Sequence, residues 1–342
     1  VVEEFSVAPM LDVTDRHCRM FLRLLSARAK LYTEMTVDNA LIHGDRARFL
    51  AFDPRERPLV IQLAGADPGR LATCARMAAA ADFDEINLNI GCPSARVQNA
   101  RFGACLMAEP KLVADCVAAM RAAVSIPVTV KTRTGIDHRD SYEHLAEFVD
   151  CVAQGGCERF IIHARKAWLQ GLSPKQNREV PALQYARVYR LKRDFPRLRI
   201  VINGGITTLD EAREHLRHVD GVMIGRQARE RPWLLSAVDR EIFDAPSPSP
   251  SPSPSNANAS PRTRADVVRA YLPYIEQQRA RGVHLRHLTR PLLSLFHGQP
   301  GARHWRRHLT EHARTPSAGA DVVYHALRLV ENAQSQGARN VD

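Results

Sequence analysis

The 342-residue chain has no apolar run approaching the roughly 18 consecutive residues that cross a bilayer, so no membrane-spanning helix is expected. Its opening, VVEEFSVAPMLD, is acidic and charge-mixed and lacks the basic and apolar regions of a secretion signal, which leaves a cytosolic or organelle-lumen setting, with cytoplasmic as the expectation once function is added. Cysteine is sparse. The seven thiols, at 18, 74, 92, 105, 116, 151 and 157, are odd in number and show no repeated CxxC, so reduced thiols are a simpler reading than disulfides or a zinc site. No glycine-rich loop follows the first apolar run, which argues against an open dinucleotide-binding sheet. No nucleoside-triphosphate loop occurs, and the scattered histidines form no metal-ligand constellation, so no metal is expected.

What the chain does have is length for a barrel-sized domain of roughly 250 residues plus a smaller one. With 45% hydrophobic residues it can build a substantial core. Its formal charge of +11 is unevenly placed. From residue 261 onward there are thirteen Arg against six Asp and Glu, so the last quarter carries seven of the eleven net charges, along with seven of the fourteen histidines. Positive charge gathered on one segment attracts polyanions more effectively than the same charge spread evenly.

Eight short apolar runs recur along the first 226 residues: SVAPML from Ser6, LYTE from Leu31, LVIQLAG from Leu59, EINLNIG from Glu85, VTVKTR from Val128, RFIIHAR from Arg159, RIVINGG from Arg199 and GVMIGR from Gly221. Amphipathic stretches such as PGRLATCARMAAAA lie between them. Eight strands alternating with helices predict an α/β fold of the (β/α)8 TIM-barrel type. Polar residues cluster just after these runs, where such a barrel carries its active-site loops: Gln62, Asn87, Asn89, Lys131, Arg133, His163, Arg165, Asn203 and Arg226.

After a predicted closing helix in RPWLLSAVDREIF, the composition changes to APSPSPSPSPSNANASP. Alternating Pro and Ser offers few donors, restricted backbone angles and little apolar area, so it reads as a connector. The expected organisation is a barrel over 1–244, a Pro/Ser-rich connector over 245–261 and a small helical domain over 262–342. Within the last, RADVVRAYLPYIEQQRARG, HLTRPLLSLF, the basic ARHWRRHLTEHAR and ADVVYHALRLVENAQ have helical spacing, interrupted at Gly298, Pro300 and Gly301.

Chemistry concentrates in NLNIGCPSARVQNARFGACLM, residues 87–107. Asn89 and Cys92 follow a buried strand in a polar, glycine-containing loop. A thiol there can act as nucleophile or proton donor, or simply fill space; Cys105 is a weaker alternative because ACLM also fits the start of a packed helix. Lys131 with Arg133, and His163 with Arg165, share an alternation face near successive strand ends. They suit a phosphate or an electron-rich ring, or else salt bridges at the barrel mouth. INGG (202–205) and IGR (224–226) pair glycines, which allow close backbone approach, with Arg226, in the region where such barrels bind phosphate.

The motifs APMLDVTDRHCR, NLNIGCPSARVQNARFGACLM, VKTRTGIDH, IIHARKAWLQGLSPKQNR, INGGI, DGVMIGRQARERPWLL and LTRPLLSLFHGQPGARHWRRHLTE together resemble the tRNA-dihydrouridine synthase family, in particular its bacterial DusA-like branch acting on U20 and U20a. The resemblance runs through nearly the whole chain. It implies an FMN-dependent oxidoreductase that uses NADPH to reduce D-loop uridines of tRNA. By the resemblance, Pro9 and Met10 border the flavin ring, and Gln62, Lys131 and His163 meet its polar edge. Asn203, Gly204, Gly205, Gly225 and Arg226 look like the ribityl and phosphate surroundings. Cys92 is implied as the general acid at C5 of the uracil while hydride reaches C6. Asn89 and Arg133 are similar to substrate-orienting residues, Arg165 and Lys166 to nearby RNA contacts. Arg303, Arg306 and Arg307, with Trp305 as either an RNA contact or a core anchor, belong to the tRNA-binding tail.

The chain departs from the branch pattern at Ala100, where glycine is usual, and at Pro291 and Ser294 in the tail. A monomer without an obligate protein partner is the working expectation. Two other functions use the same residues: an FMN-dependent reductase of a small conjugated substrate, and an RNA-binding barrel that has lost turnover. Reduction of short substrates without RNA distinguishes the first, and absence of turnover the second.

Overall fold

The computed structural model describes residues 4–94, 101–243 and 263–339. The expected connector over 245–261 and Ala100 lie outside the described residues. The described residues fall into two compact units, one formed by 4–12 with 30–94 and 101–225, the other by 13–29 with 226–243 and 263–339.

The first unit contains eight parallel strands: β1 (Glu4–Val7), β2 (Leu31–Val37), β3 (Leu59–Ala64), β4 (Glu85–Asn89), β5 (Val128–Arg133), β6 (Arg159–His163), β7 (Arg199–Asn203) and β8 (Gly221–Ile224). Their order is β1-β8-β7-β6-β5-β4-β3-β2, with β1 and β2 brought together by the parallel bridge Ser6↔Lys30. This is the predicted (β/α)8 barrel. Strand β1 begins two residues earlier than the apolar run and ends at Val7, ahead of Pro9, which has no backbone N–H to continue a ladder. Val, Ile and Leu dominate the strands because both faces are covered, one by barrel interior and one by helices.

The helices begin where the sequence supplies caps. Asp67 accepts from the backbone N–H of Arg70 at the start of Pro68–Ala80, and Ser141 does the same for His144 ahead of Tyr142–Gln154. Thr208 and Glu211 form a reciprocal capping box at Leu209–Leu216.

One interior layer consists of Ala8, Tyr32, Val60, Ile161, Val201 and Met223. Because side chains on a strand repeat their direction every second residue, the positions two further on point the same way. On β3, β6 and β7 those positions are Gln62, His163 and Asn203, and past the ends of β1 and β8 they are Met10 and Gly225. The apolar interior therefore passes into a polar layer at the C-terminal ends of the strands, the end at which such barrels carry chemistry. At the opposite end, Glu4 and Glu85 are buried against Lys30 and Arg159, with Lys30 Nζ 3.0 Å from Glu4 and 2.8 Å from Glu85. Two carboxylates matched by two cations serve stability there.

The second unit is helical. Arg264–Ala280 is capped by Thr263, and Ala302–His312 and Ala320–Arg339 are the further long helices. HLTRPLLSLF forms a short helix, Leu285–Thr289, and then a 3-10 turn in which Pro291 stands at an N-terminal position that needs no backbone donor. The predicted closing helix is a 3-10 segment, Pro232–Ala237, followed by a single α-turn, Val238–Glu241. Helix Arg16–Arg23 packs within this unit: His17 Nδ1 lies 2.8 Å from Tyr274 Oη, and Tyr271 Oη donates to the His17 carbonyl at 3.0 Å. Asp239 accepts from Ser26 Oγ at 2.5 Å and from the N–H of Ala27 at 2.7 Å. Trp305 is 0% exposed and donates from Nε1 to the Leu292 carbonyl at 2.9 Å, so it is the core anchor of its helix and not an RNA contact.

Candidate active site

The strand register sets the site. It aligns Asn89 with Lys131, Arg133 with His163, and His163 with Asn203, so three neighbouring strand pairs present their polar ends side by side. A chain of amides runs across the first strands. Gln62, 1% exposed, donates to Asn87 Oδ1 at 2.8 Å and accepts from Asn89 Nδ2 at 2.8 Å; Asn87 donates to Thr129 Oγ1 at 3.0 Å. Each amide fixes the next, so the Asn89 side chain is oriented before any ligand arrives.

Asn89 in turn positions the thiol loop. Its Oδ1 accepts from the N–H groups of Gly91 and Cys92 at 3.1 and 3.0 Å. Cys92 is half-buried, and its Sγ lies 3.6 Å from Ser94 Oγ. Its carbonyl accepts from the Ala104 N–H at 2.9 Å. Cys105 differs: its Sγ donates to the Phe102 carbonyl at 3.2 Å, and burial raises its pKa. Both thiols are half-buried, but Cys92 has a polar side chain, Ser94, beside it, whereas Cys105 is tied to a backbone carbonyl.

Lys131 Nζ donates to Asn203 Oδ1 at 3.1 Å, while Asn203 Nδ2 donates to the Met223 carbonyl at 2.7 Å. Burial, and then the charge of Arg133, lower Lys131 to about 7. Burial followed by Arg133 and Lys131 pushes His163 well below its ordinary range, so its imidazole is neutral near pH 7. The His163 ring has no hydrogen-bond partner among the described residues, which leaves its nitrogens for a ligand. Arg133 is 4% exposed and donates to three carbonyls: Gly91 at 3.0 Å from Nε, and Asn177 at 2.8 Å and Lys166 at 3.3 Å from Nη1.

The glycines divide by what demands them. Gly204 has φ +112°, and a Cβ there would stand 2.6 Å from His163 Cδ2; at Gly205, φ +76°, it would meet Tyr185 Oη at 2.5 Å. Packing within the protein accounts for both. Gly225 is different, because a Cβ there would have only Ala8 Cβ near it, at 3.8 Å. Nothing in the surrounding protein requires a glycine at that strand end.

Pro9 and Met10 are half-buried past β1. Lys166 and Arg165 are held by the protein itself: Lys166 Nζ is 3.1 Å from Asp140 Oδ2 and 4.2 Å from the Trp168 ring centroid, and Arg165 donates to the carbonyls of Glu179 and Pro181. Arg226 is exposed and opens Arg226–Glu230 in the second unit. Arg303, Arg306 and Arg307 are exposed on Ala302–His312, the last paired with Glu311 at 3.4 Å. The residue missed at the sequence level is Asn177, buried in the loop after β6, since a polar loop residue carries no periodicity to mark it. Among the described residues no group of three or more His, Cys, Asp and Glu could hold a metal. Among them, too, no helix is long and apolar enough to cross a membrane.

A parallel (β/α)8 barrel whose C-terminal mouth gathers amides, a buried lysine, a neutral histidine and a strand-end thiol is the frame of a barrel enzyme. The family model described as dihydrouridine synthase matches residues 6–331. The chain is 58% identical over 330 residues to the tRNA-dihydrouridine(20/20a) synthase of Salmonella typhimurium, covering 95% of each. It is 57% identical over 323 residues to that of Vibrio cholerae, covering 94% of this chain and 95% of the relative. Against that of Escherichia coli K12 it is 58% identical over 330 residues, covering 95% and 91%. The chain belongs to the dihydrouridine synthase family. Among solved structures it is similar to a 2-naphthoyl-CoA reductase in complex with 2-naphthoyl-CoA, with TM-score 0.53 at 12% identity over 69% of this chain and 49% of that one. Histamine dehydrogenase from Rhizobium sp. 4-9 is similar at TM-score 0.52 and 13% identity, over 70% and 46%. At such identities these two bear on the fold alone.

Proposed function

We propose that the chain is a tRNA-dihydrouridine synthase that reduces the C5–C6 bond of D-loop uridines, U20 and U20a, with FMN as resident cofactor and NADPH as electron donor. The observation that carries the reading is the meeting of Asn89, Cys92, Lys131 and His163 at one barrel mouth, in a chain 58% identical to a tRNA-dihydrouridine(20/20a) synthase.

The residues fit a flavin mononucleotide. Lys131 and the unpartnered His163 ring offer donors to the polar edge of a flavin ring, with Gln62 beside them. Gly225 leaves room that the protein does not use, which suits close approach by a phosphate or ribityl chain along with Asn203, Gly204 and Gly205. Pro9 and Met10 border the ring in this reading. When bound, FMN supplies the hydride, and NADPH replenishes it.

The chain's own residues orient and protonate. Asn89, locked by Gln62, and Arg133, locked by three carbonyls, hold the uracil in place. The Cys92 thiol gives its proton to C5 as hydride arrives at C6, and the resulting thiolate recovers a proton from water, which partial exposure of Cys92 allows. A uridine in the folded D-loop must leave its packing to reach a recessed site, at a cost of a few kcal/mol. Arg165, Lys166, Arg303, Arg306 and Arg307 serve RNA contacts. The reading is tested by incubating FMN-loaded protein and NADPH with unmodified tRNA and mapping dihydrouridine by mass spectrometry.

A further inference from the structure

Asn177 is 0% exposed in the 3-10 turn Gln176–Arg178, and its whole side chain is spent on one loop. Its Oδ1 accepts from the Trp168 N–H at 2.8 Å. Its Nδ2 donates to the carbonyls of Trp168 at 2.9 Å and Leu172 at 3.2 Å. An acceptor and two donors are needed at once. Aspartate would lose both donors and bury a charge, and alanine would take the partner away from one backbone N–H and two carbonyls.

The loop so fixed reaches the thiol through one residue. The Asn177 carbonyl accepts from Arg133 Nη1 at 2.8 Å, and Arg133 Nε donates to the carbonyl of Gly91, the residue before Cys92, at 3.0 Å. Arg133 makes no ion pair among the described residues, so its buried charge is oriented by carbonyl dipoles and is not neutralised. Cys92 is thus held from two sides. Asn89 Oδ1 takes the N–H groups of Gly91 and Cys92, while Arg133 takes the Gly91 carbonyl.

We propose that Asn177 is a positioning residue for Cys92, acting through Arg133: it holds the loop after β6 so that its own carbonyl aims the guanidinium that clamps the thiol-bearing turn after β4. The inference rests on the reading of Cys92 as the proton donor.

The test uses the full-length, FMN-loaded protein. Wild-type protein is first shown to form dihydrouridine; failure there refutes the functional reading, and the alkylation arm below then decides the positional inference by itself. For Asn177→Ala, the single-turnover rate at saturating tRNA falls about 10²-fold, as for a catalytic group misplaced by about an ångström, while KM for tRNA changes by less than about 3-fold. Iodoacetamide, followed by peptide mass spectrometry, modifies Cys92 about 5-fold faster, because the clamp now opens locally. The half-buried Cys151 reacts at its wild-type rate and is the internal control. Arg133→Lys, which severs the link from the other end, gives the same acceleration at Cys92, and combining it with Asn177→Ala costs no further turnover.

Four results overturn the inference: wild-type turnover in Asn177→Ala, losses in the two variants that multiply, equal acceleration at Cys151, or wild-type alkylation of Cys92 in Arg133→Lys. The last arm remains decisive where Asn177→Ala does not fold.

Discussion

Lys131 Nζ donates to Asn203 Oδ1 at 3.1 Å across the barrel mouth, and among the described residues no carboxylate shares the contact. The lysine is lowered to about 7, chiefly by burial. Between pH 7 and its ordinary value of about 10.5 the unfolded chain therefore binds more protons than the folded one, so this group's contribution to stability rises with pH across that window. Below about 7 both states are charged and the full cost of burying the charge is present. Lys131→Met is expected to raise the melting temperature of the flavin-free protein most at pH 6–7, with the gain fading towards pH 10. Melting curves of both proteins across this range check it, and a gain that grows with pH would contradict it.

The same lysine links binding to protons. An anionic ligand at the mouth restores the charged form, so FMN binding at pH 8 is expected to take up part of a proton, and Lys131→Met to abolish that uptake. Calorimetry in two buffers of different ionisation enthalpy reads it directly; identical heats in the two buffers would refute it.

Gly204 and Gly225 are predicted to part company. Gly204→Ala forces a Cβ to within 2.6 Å of His163 at φ +112° and should destabilise the fold by about 1–3 kcal/mol. Gly225→Ala finds 3.8 Å to its nearest neighbour, so stability should change by less than about 0.5 kcal/mol. Its flavin affinity should nevertheless fall about tenfold, or roughly 1.4 kcal/mol. Denaturant melts of flavin-free protein and fluorescence titration with FMN separate the two effects.

Cys92→Ala should lower the chemical-step rate about 10²–10⁴-fold with flavin retained, as loss of a positioned general acid does. Cys105→Ala should cost far less, since that thiol is tied to the Phe102 carbonyl. Single-turnover kinetics on flavin-loaded variants decide between them, and parity of the two variants would remove Cys92 from its role.

On Ala302–His312, truncating Arg303 or Arg306 should weaken tRNA binding and reduce the salt slope by about 1 each, as loss of a phosphate contact does. Trp305→Ala should instead destabilise the protein by about 3–5 kcal/mol, because that side chain is core. Binding isotherms at several salt concentrations and a thermal melt check both.

The strands and their polar ends were legible in the sequence because period-2 patterning and a barrel's eightfold repeat are local signals. Gln62, His163 and Asn203 each stand two residues beyond a residue of the apolar layer, and Lys131 pairs in register with Ile161 of that layer. The parts that were not legible depend on contacts between distant segments. Nothing local announces that His17 partners Tyr274 or that Ser26 partners Asp239, so the company kept by helix Arg16–Arg23 could not be read. Trp305 was ambiguous because an aromatic among arginines suits both a core and an RNA surface; its indole bond to the Leu292 carbonyl resolves it. The glycines at 204, 205 and 225 look alike in sequence, and only the neighbouring side chains show which of them packing requires.

Position-mapped mass spectrometry of unmodified tRNA, after incubation with FMN-loaded protein and NADPH, tests the central claim most directly. The account predicts a mass gain of one hydrogen pair at U20 and U20a of the D-loop, with matching NADPH oxidation that requires the RNA. Bound flavin and competent tRNA with no gain at any D-loop uridine would contradict it.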